Sequence, residues 1–247
     1  VGGVWKKEKW ASKNHISLSQ LHNIKEIKQY YEVLKLEAQN MRFESYLLYL
    51  EKNRPPKERF YAPKIKQYQK IGVINALQRL IDDETDILCI SMPPGTGKTT
   101  LEKFFHSAVM GWFPDDYNLF FSHSSDITRM YYDGVLTILT NGLDYTWHEI
   151  FPTLAITSTN AKMMQINIGK YKPFQNLMTA SVGSEMSGKV RASKFLFVDD
   201  MIGKIEEALN KNTLDKLWGI YTTDARQRKV EGCKELIIAT RWSVNDV

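Results

Sequence analysis

The sequence predicts an α/β fold, a mostly parallel central β-sheet flanked by helices, and three observations carry that expectation. Short β-rich runs alternate with stretches of helical period. One such run passes through a glycine-rich loop straight into a helix, and another, wholly apolar, ends in two adjacent acids. Strands alternating with helices pair in parallel, and such sheets take ligands beyond the carboxyl ends of their strands. With 43% hydrophobic residues over 247 positions the chain can bury one sizeable core, so one principal domain is expected.

Taken in order, residues 16–50 carry apolar side chains at helical spacing, including Ile24, Ile27, Tyr31, Leu34, Leu36, Tyr46, Leu47 and Leu50, and read as a helical N-terminal leader. Pro55 and Pro56 cannot continue a helix, which assigns leader and linker to residues 1–58 and the main domain to 59–247. A helix is expected over 64–82. Strands are expected over 87–91, 118–122, 164–168, 178–182, 195–199 and 236–240, and helices over 99–112, 126–141 and 209–228. No helix-length connection separates strands 164–168 and 178–182, so they are expected to form an antiparallel hairpin. The chain runs from Val1 to Val247, stopping soon after a strand-like segment, which fits a piece of something longer.

Composition narrows the class. Cys89 and Cys233 lack paired or metal-ligand spacing, which argues against a disulfide framework or a zinc site and fits a reducing compartment. No apolar run approaches the ~20 residues that span a bilayer, so a membrane is not an expected partner. A net charge of +5 is compatible with a polyanionic partner. The cluster Lys52, Arg54, Lys57, Arg59, Lys64, Lys66 and Lys70 reads more readily as a solvated face than as a nucleic-acid site.

The chemistry sits in two segments. Met92-Pro-Pro-Gly-Thr-Gly-Lys-Thr-Thr100 lies between a strand and a helix, the context a phosphate-binding loop requires. Pro94, Gly95, Thr96, Gly97, Lys98, Thr99 and Thr100 would cradle phosphates with backbone N–H groups and the helix N-terminus. Lys98 would reach the β- and γ-phosphates of ATP and Thr99 would ligate Mg²⁺. Met92 stands where the first glycine of the pattern is expected, with Pro93 and Pro94 setting the turn instead. Phe195-Leu-Phe-Val-Asp-Asp200 ends in acids at the carboxyl end of a buried strand. Asp199 would hold the Mg²⁺ shell and Asp200 would orient or deprotonate the attacking water. Many ATPases place Glu where Asp200 stands. Together these segments specify a P-loop NTPase of the ASCE type. The loop alone resembles the AAA+ family, but 101 residues separate Lys98 from Asp199, about twice what that family shows.

Five segments in order over residues 65–247 resemble the large terminase subunit of tailed bacteriophages, in its N-terminal ATPase domain. They are the loop, the strand and helix from Leu119 through Asp126, Gly183-Ser-Glu-Met-Ser-Gly-Lys-Val-Arg-Ala192, Val198-Asp-Asp-Met-Ile-Gly-Lys-Ile-Glu-Glu-Ala208 with Met201 in place of proline, and Ile237-Ile-Ala-Thr-Arg-Trp242 with Asp246 beyond. The resemblance implies an ATP-hydrolysing motor that moves double-stranded DNA into a procapsid in the host cytoplasm. Its implied partners are a portal protein, a small terminase subunit and copies of itself in a ring. It also implies a C-terminal nuclease, for which residues 1–247 supply no acidic cluster. Arg191 would be an arginine finger offered to a neighbouring subunit, with Arg129, Arg226 and Arg228 as rivals. Thr240 would sense the γ-phosphate, and Gln67, with Tyr61 nearby, would contact adenine. His123, Trp218 and Tyr221 are read as structural. Another nucleic-acid-translocating P-loop ATPase, of helicase or repair type, and a nucleotide-binding regulatory module stay open as alternatives.

Overall fold

The computed structural model describes residues 24–186 and 188–241. Residues 1–23, together with Ser187, Trp242 and Asp246, lie outside the described residues. Seven strands form one sheet in the order β1-β7-β6-β2-β5-β4-β3. They are β1 (Ile87–Ser91), β2 (Asn118–Ser122), β3 (Ile156–Asn160), β4 (Gln165–Ile168), β5 (Leu177–Ser181), β6 (Phe195–Asp199) and β7 (Lys234–Ala239). The run from β1 through β5 in that order is parallel, while β4 pairs antiparallel with both β5 and β3.

The helices are α1 (Ile24–Gln39), α2 (Phe43–Leu50), α3 (Ile65–Ile71), α4 (Val73–Ile81), α5 (Lys98–Trp112), α6 (Ser125–Thr140), α7 (Trp147–Ile150), α8 (Ile205–Ala208) and α9 (Lys211–Ile220). Period-two alternation in the central strands divides the core. Phe120, Phe195, Phe197, Leu236 and Ile238 face α5 and α6, whereas Leu119, Phe121, Met178, Leu196 and Val198 face the other way. That second face is covered by Met186, Val190 and Ala192 of the loop after β5, and by Tyr221 and Ala225 of a π-helical turn after α9.

Several expectations change in detail. The helix expected over 64–82 is two helices, because Gly72 adopts a left-handed φ of 71° that ends α3 and starts α4. The leader breaks likewise, at Met41 with φ 60°. The helix expected over 209–228 regularises only as far as Ile220 before the π and 3₁₀ turns. Strands β4 and β5 are antiparallel, but they share only the Ile166–Leu177 pair. The main partner of β4 is β3, a strand with no expectation behind it, and β5 belongs to the parallel body beside β2. Packing is continuous across residue 58: Phe43, Tyr46, Leu47 and Leu50 are fully buried in the same cluster as Phe104 and Phe105 of α5. Tyr46 Oη and Ser107 Oγ are 2.7 Å apart, and Trp112 Nε1 donates to Ala38 O at 2.7 Å.

Much of the basic cluster is spent internally. Lys52 pairs with Glu149, Arg54 with Glu51, and Arg59 donates to the carbonyls of Arg54 and Lys52. Lys57, Lys66 and Lys70 are exposed.

Candidate active site

The glycine-rich loop leaves the carboxyl end of β1 at the edge of the sheet. Met92 continues the strand pairing, its N–H donating to Ala239 O at 3.3 Å, while its side chain is buried in the main core. That burial explains how the position accommodates methionine instead of glycine. Gly95 and Gly97 have φ of 74° and 91°, a region costly for side chains. Gly97 is doubly constrained, because a Cβ there would lie 2.4 Å from Cε2 of Phe60. Thr96 Oγ1 donates to Pro93 O at 2.8 Å, and Tyr68 Oη of α3 donates to Thr96 O at 2.7 Å, so the loop is braced from within and from α3.

Lys98 and Thr99 open α5 and face the ends of β7 and β6. Lys98 Nζ, almost wholly buried, donates to Met92 O at 2.9 Å and to Thr240 Oγ1 at 2.6 Å. Thr99 Oγ1 donates to Asp199 Oδ2 at 2.9 Å. Asp199 Oδ1 is buried with no partner. Burial, and then the charge of Asp200, push the Asp199 carboxyl up to about 6.

Asp200 turns out of the strand with φ 39°, a conformation held at three points. Its N–H donates to Ile238 O at 2.9 Å, its carbonyl lies 2.6 Å from His123 Nδ1, and its Oδ1 accepts the Thr240 N–H at 2.7 Å. Lys98, Thr99, Asp199, Asp200 and Thr240 therefore meet at one end of the sheet, and Thr240 links the loop lysine to the second acid.

Other expected residues are placed elsewhere. Gln67 is exposed on α3, and Tyr61 is buried with its hydroxyl on Glu44 Oε1 at 2.6 Å. Arg191 is exposed and has no hydrogen bond or ion pair to another described residue. It precedes β6, while Asp199 ends it, so the strand's own length of about 13 Å separates the two levels. Among its rivals, Arg226 Nε is paired with the buried Glu235 at 2.9 Å, Arg228 Nε donates to Asp224 O, and Arg129 donates to Ala161 O. Half-exposed Trp218 and buried Tyr221 line a small, mostly apolar cavity of about 40 Å³ together with Met201, Ile202, Asp200 and Thr240.

Glu102 belongs to none of the sequence motifs. It lies fully buried on α5 with neither carboxylate oxygen hydrogen-bonded. Burial, then the charges of Asp199 and Asp200, hold it well above the usual carboxylate range. Its spacing of three from Thr99 was the available signal, since residues three apart share a helix face.

The residues present fit a hydrated Mg²⁺ beside a nucleotide phosphate. The unpartnered Asp199 oxygen and the Thr99 hydroxyl offer two oxygen ligands, and Mg²⁺ takes few protein ligands and keeps its waters. Among the described residues no group of three or more His, Cys, Asp or Glu could cage a metal.

A strand, glycine loop and helix at the edge of a parallel sheet, with β7 inserted between the loop strand and the acid-ending β6, define the P-loop NTPase fold of the ASCE type. No protein-family model matches the chain, and no curated protein matches it in sequence. Among solved structures it is similar to the large terminase of HK97 bacteriophage, at 13% identity and a TM-score of 0.43, over 67% of this chain and 32% of that one. It is also similar to the Phi-28 gp11 DNA packaging motor, at 13% identity and a TM-score of 0.34, over 66% of this chain and 48% of that one. The chain thus matches less than half the length of either protein. No helix among the described residues is long and apolar enough to cross a membrane.

Proposed function

We propose that this chain is the ATP-hydrolysing domain of a viral DNA-packaging motor of the large-terminase kind. The observation that carries the nucleotide part is the convergence of Lys98, Thr99, Asp199, Asp200 and Thr240 at one end of the sheet. The packaging part rests on the five terminase-like segments in their sequence order.

In this reading the loop N–H groups and Lys98 hold the phosphates of ATP, and Lys98 leaves its contact with Thr240 to do so. Thr99 and Asp199 would hold Mg²⁺, which when bound would neutralise phosphate charge. Asp200 orients the attacking water and accepts its proton, its carboxylate set by the Thr240 N–H. Thr240, touching both Lys98 and Asp200, reports the presence of the γ-phosphate to β7. Arg191 serves a neighbouring subunit in a ring on the portal, with double-stranded DNA as the translocated substrate, a small terminase subunit as a further partner, and the host cytoplasm as the setting.

A second reading, a nucleotide-binding module without turnover, draws on the engagement of the Asp200 carboxylate by Thr240. One experiment separates them. The wild-type chain is expected to bind ATP with Mg²⁺ and to release phosphate, faster with DNA and portal present. Lys98→Ala is expected to lose nucleotide binding while keeping its melting temperature within a few degrees. Normal phosphate release by Lys98→Ala would remove the site assignment, and binding without any turnover by the assembled wild type would favour the module.

A further inference from the structure

Buried polar atoms without partners collect behind the loop. Both Glu102 oxygens, Ser122 Oγ and Asp199 Oδ1 are buried and unbonded. Their positions in the fold bring them together. Ser122 ends β2 in direct register with Asp199 at the end of β6, and in parallel neighbours such residues project from the same face. That is the face of Phe120 and Phe197, on which α5 packs. On α5, Thr99, Glu102 and Phe105 recur at a spacing of three. Thr99 donates to Asp199, and Phe105 lies edge-on to Phe195 with ring centroids 5.5 Å apart. Glu102, one turn from each, looks onto the same strand.

A buried carboxyl group without a partner destabilises a fold, so a position that retains one calls for an occupant that supplies donors. We propose that Glu102, with Ser122, forms the buried wall of the divalent-cation site begun by Thr99 and Asp199, and holds the waters of the cation instead of the cation itself. This rests on the Mg-nucleotide reading above. A hydrated cation presents water O–H donors, which both Glu102 oxygens and the Ser122 hydroxyl can accept, and residues that fix a metal's outer shell tune its affinity. Glu102 is on this account a positioning residue, and its effect passes through the cation.

The test uses Mn²⁺ as the probe, titrated by electron paramagnetic resonance into the full chain with ADP, alongside ADP affinity measured in EDTA. Glu102→Gln keeps the shape of the side chain, and Ser122→Ala provides an independent variant. Expected for Glu102→Gln is a 10- to 100-fold loss of Mn²⁺ affinity in the ADP complex, with ADP affinity in EDTA within twofold of wild type and a melting temperature in EDTA at or above that of wild type. Asp199→Asn sets the scale for a direct ligand. Mn²⁺ affinity within twofold of wild type in Glu102→Gln would overturn the proposal. So would an equal loss of ADP affinity with and without metal, the mark of a merely structural role. Lys98→Ala separates this failure from that of the underlying reading. If it loses ADP while Glu102→Gln behaves as wild type, Glu102 alone is misassigned. If Lys98→Ala binds ADP normally, the nucleotide site itself is wrong.

Discussion

At the scale of single residues, Asp199 joins a buried strand end to a free carboxylate oxygen. Its carboxyl, at about 6 in the folded chain against an ordinary 3.8, holds its proton more tightly folded than unfolded. The stability this contributes is therefore fully present below about pH 4 and is lost as the pH rises through about 6, a change on the order of 3 kcal/mol. In EDTA, Asp199→Asn should gain on wild type by roughly that amount between pH 4 and pH 7. Urea melts of both proteins across the range check it, and parallel curves would count against a buried, proton-holding Asp199. If Asp199 holds Mg²⁺ as proposed, the cation competes with the same proton, and its affinity should weaken as the pH falls below about 6. Gly97 sets another residue-scale limit. Gly97→Ala must put a Cβ into the Phe60 ring at φ 91°, and should cost about 1–3 kcal/mol of stability along with nucleotide affinity, read by melting and by ADP titration.

At the scale of elements, β7 binds the sheet together. It lies between the loop strand and the acid strand, and its Glu235 is fully buried. Burial pushes the Glu235 carboxyl up, but hydrogen bonds from Lys229 at 2.5 Å, from the Tyr221 hydroxyl and from Arg226 outweigh it and hold the group below the usual range. One buried carboxylate thus fastens β7 to the π-helical turn after α9. Removing it strands the Lys229 ammonium, so Glu235→Ala should cost about 3–5 kcal/mol. Arg226→Ala removes a half-exposed partner and should cost about 1 kcal/mol or less. Denaturant unfolding of both variants measures the contrast, and equal costs would mean that Glu235 is not the fastening point. The same pairing occupies Arg226 and weakens its claim to serve a neighbouring subunit.

At the scale of the whole molecule, the positions of the two arginine-dependent parts bear on assembly. The loop, Asp199 and Asp200 lie at one end of the sheet, and Arg191 precedes β6 at the other, exposed. That placement favours a role toward a neighbouring copy over one toward its own loop. If it serves a neighbour, the isolated domain should bind ATP but hydrolyse it slowly, because such a residue is worth roughly 10³ to 10⁵ in rate. Mixing Arg191→Ala with Asp200→Asn should then restore part of the activity. An interface joining the first variant's Asp200 to the second's Arg191 is complete. No recovery at any ratio, where wild type assembles and turns over ATP, would move the role to Arg129 or Arg228.

The signals legible in the chain alone are local. A glycine-rich turn between strand and helix, a lysine and threonine opening that helix, and an apolar run ending in acids each involve only neighbouring residues, so Lys98, Thr99, Asp199 and Asp200 stand out as candidates in the sequence alone. Tertiary structure decided the rest. Strand β3 was missed because Ile-Thr-Ser-Thr-Asn at a sheet edge is mostly exposed and lacks apolar alternation. The leader's membership in the main core, the insertion of β7 beside Lys98 and the burial of Glu102 all depend on which distant segments meet. A glutamate on a helix reads as solvated until the sheet it faces is known, and no short stretch of sequence carries that information.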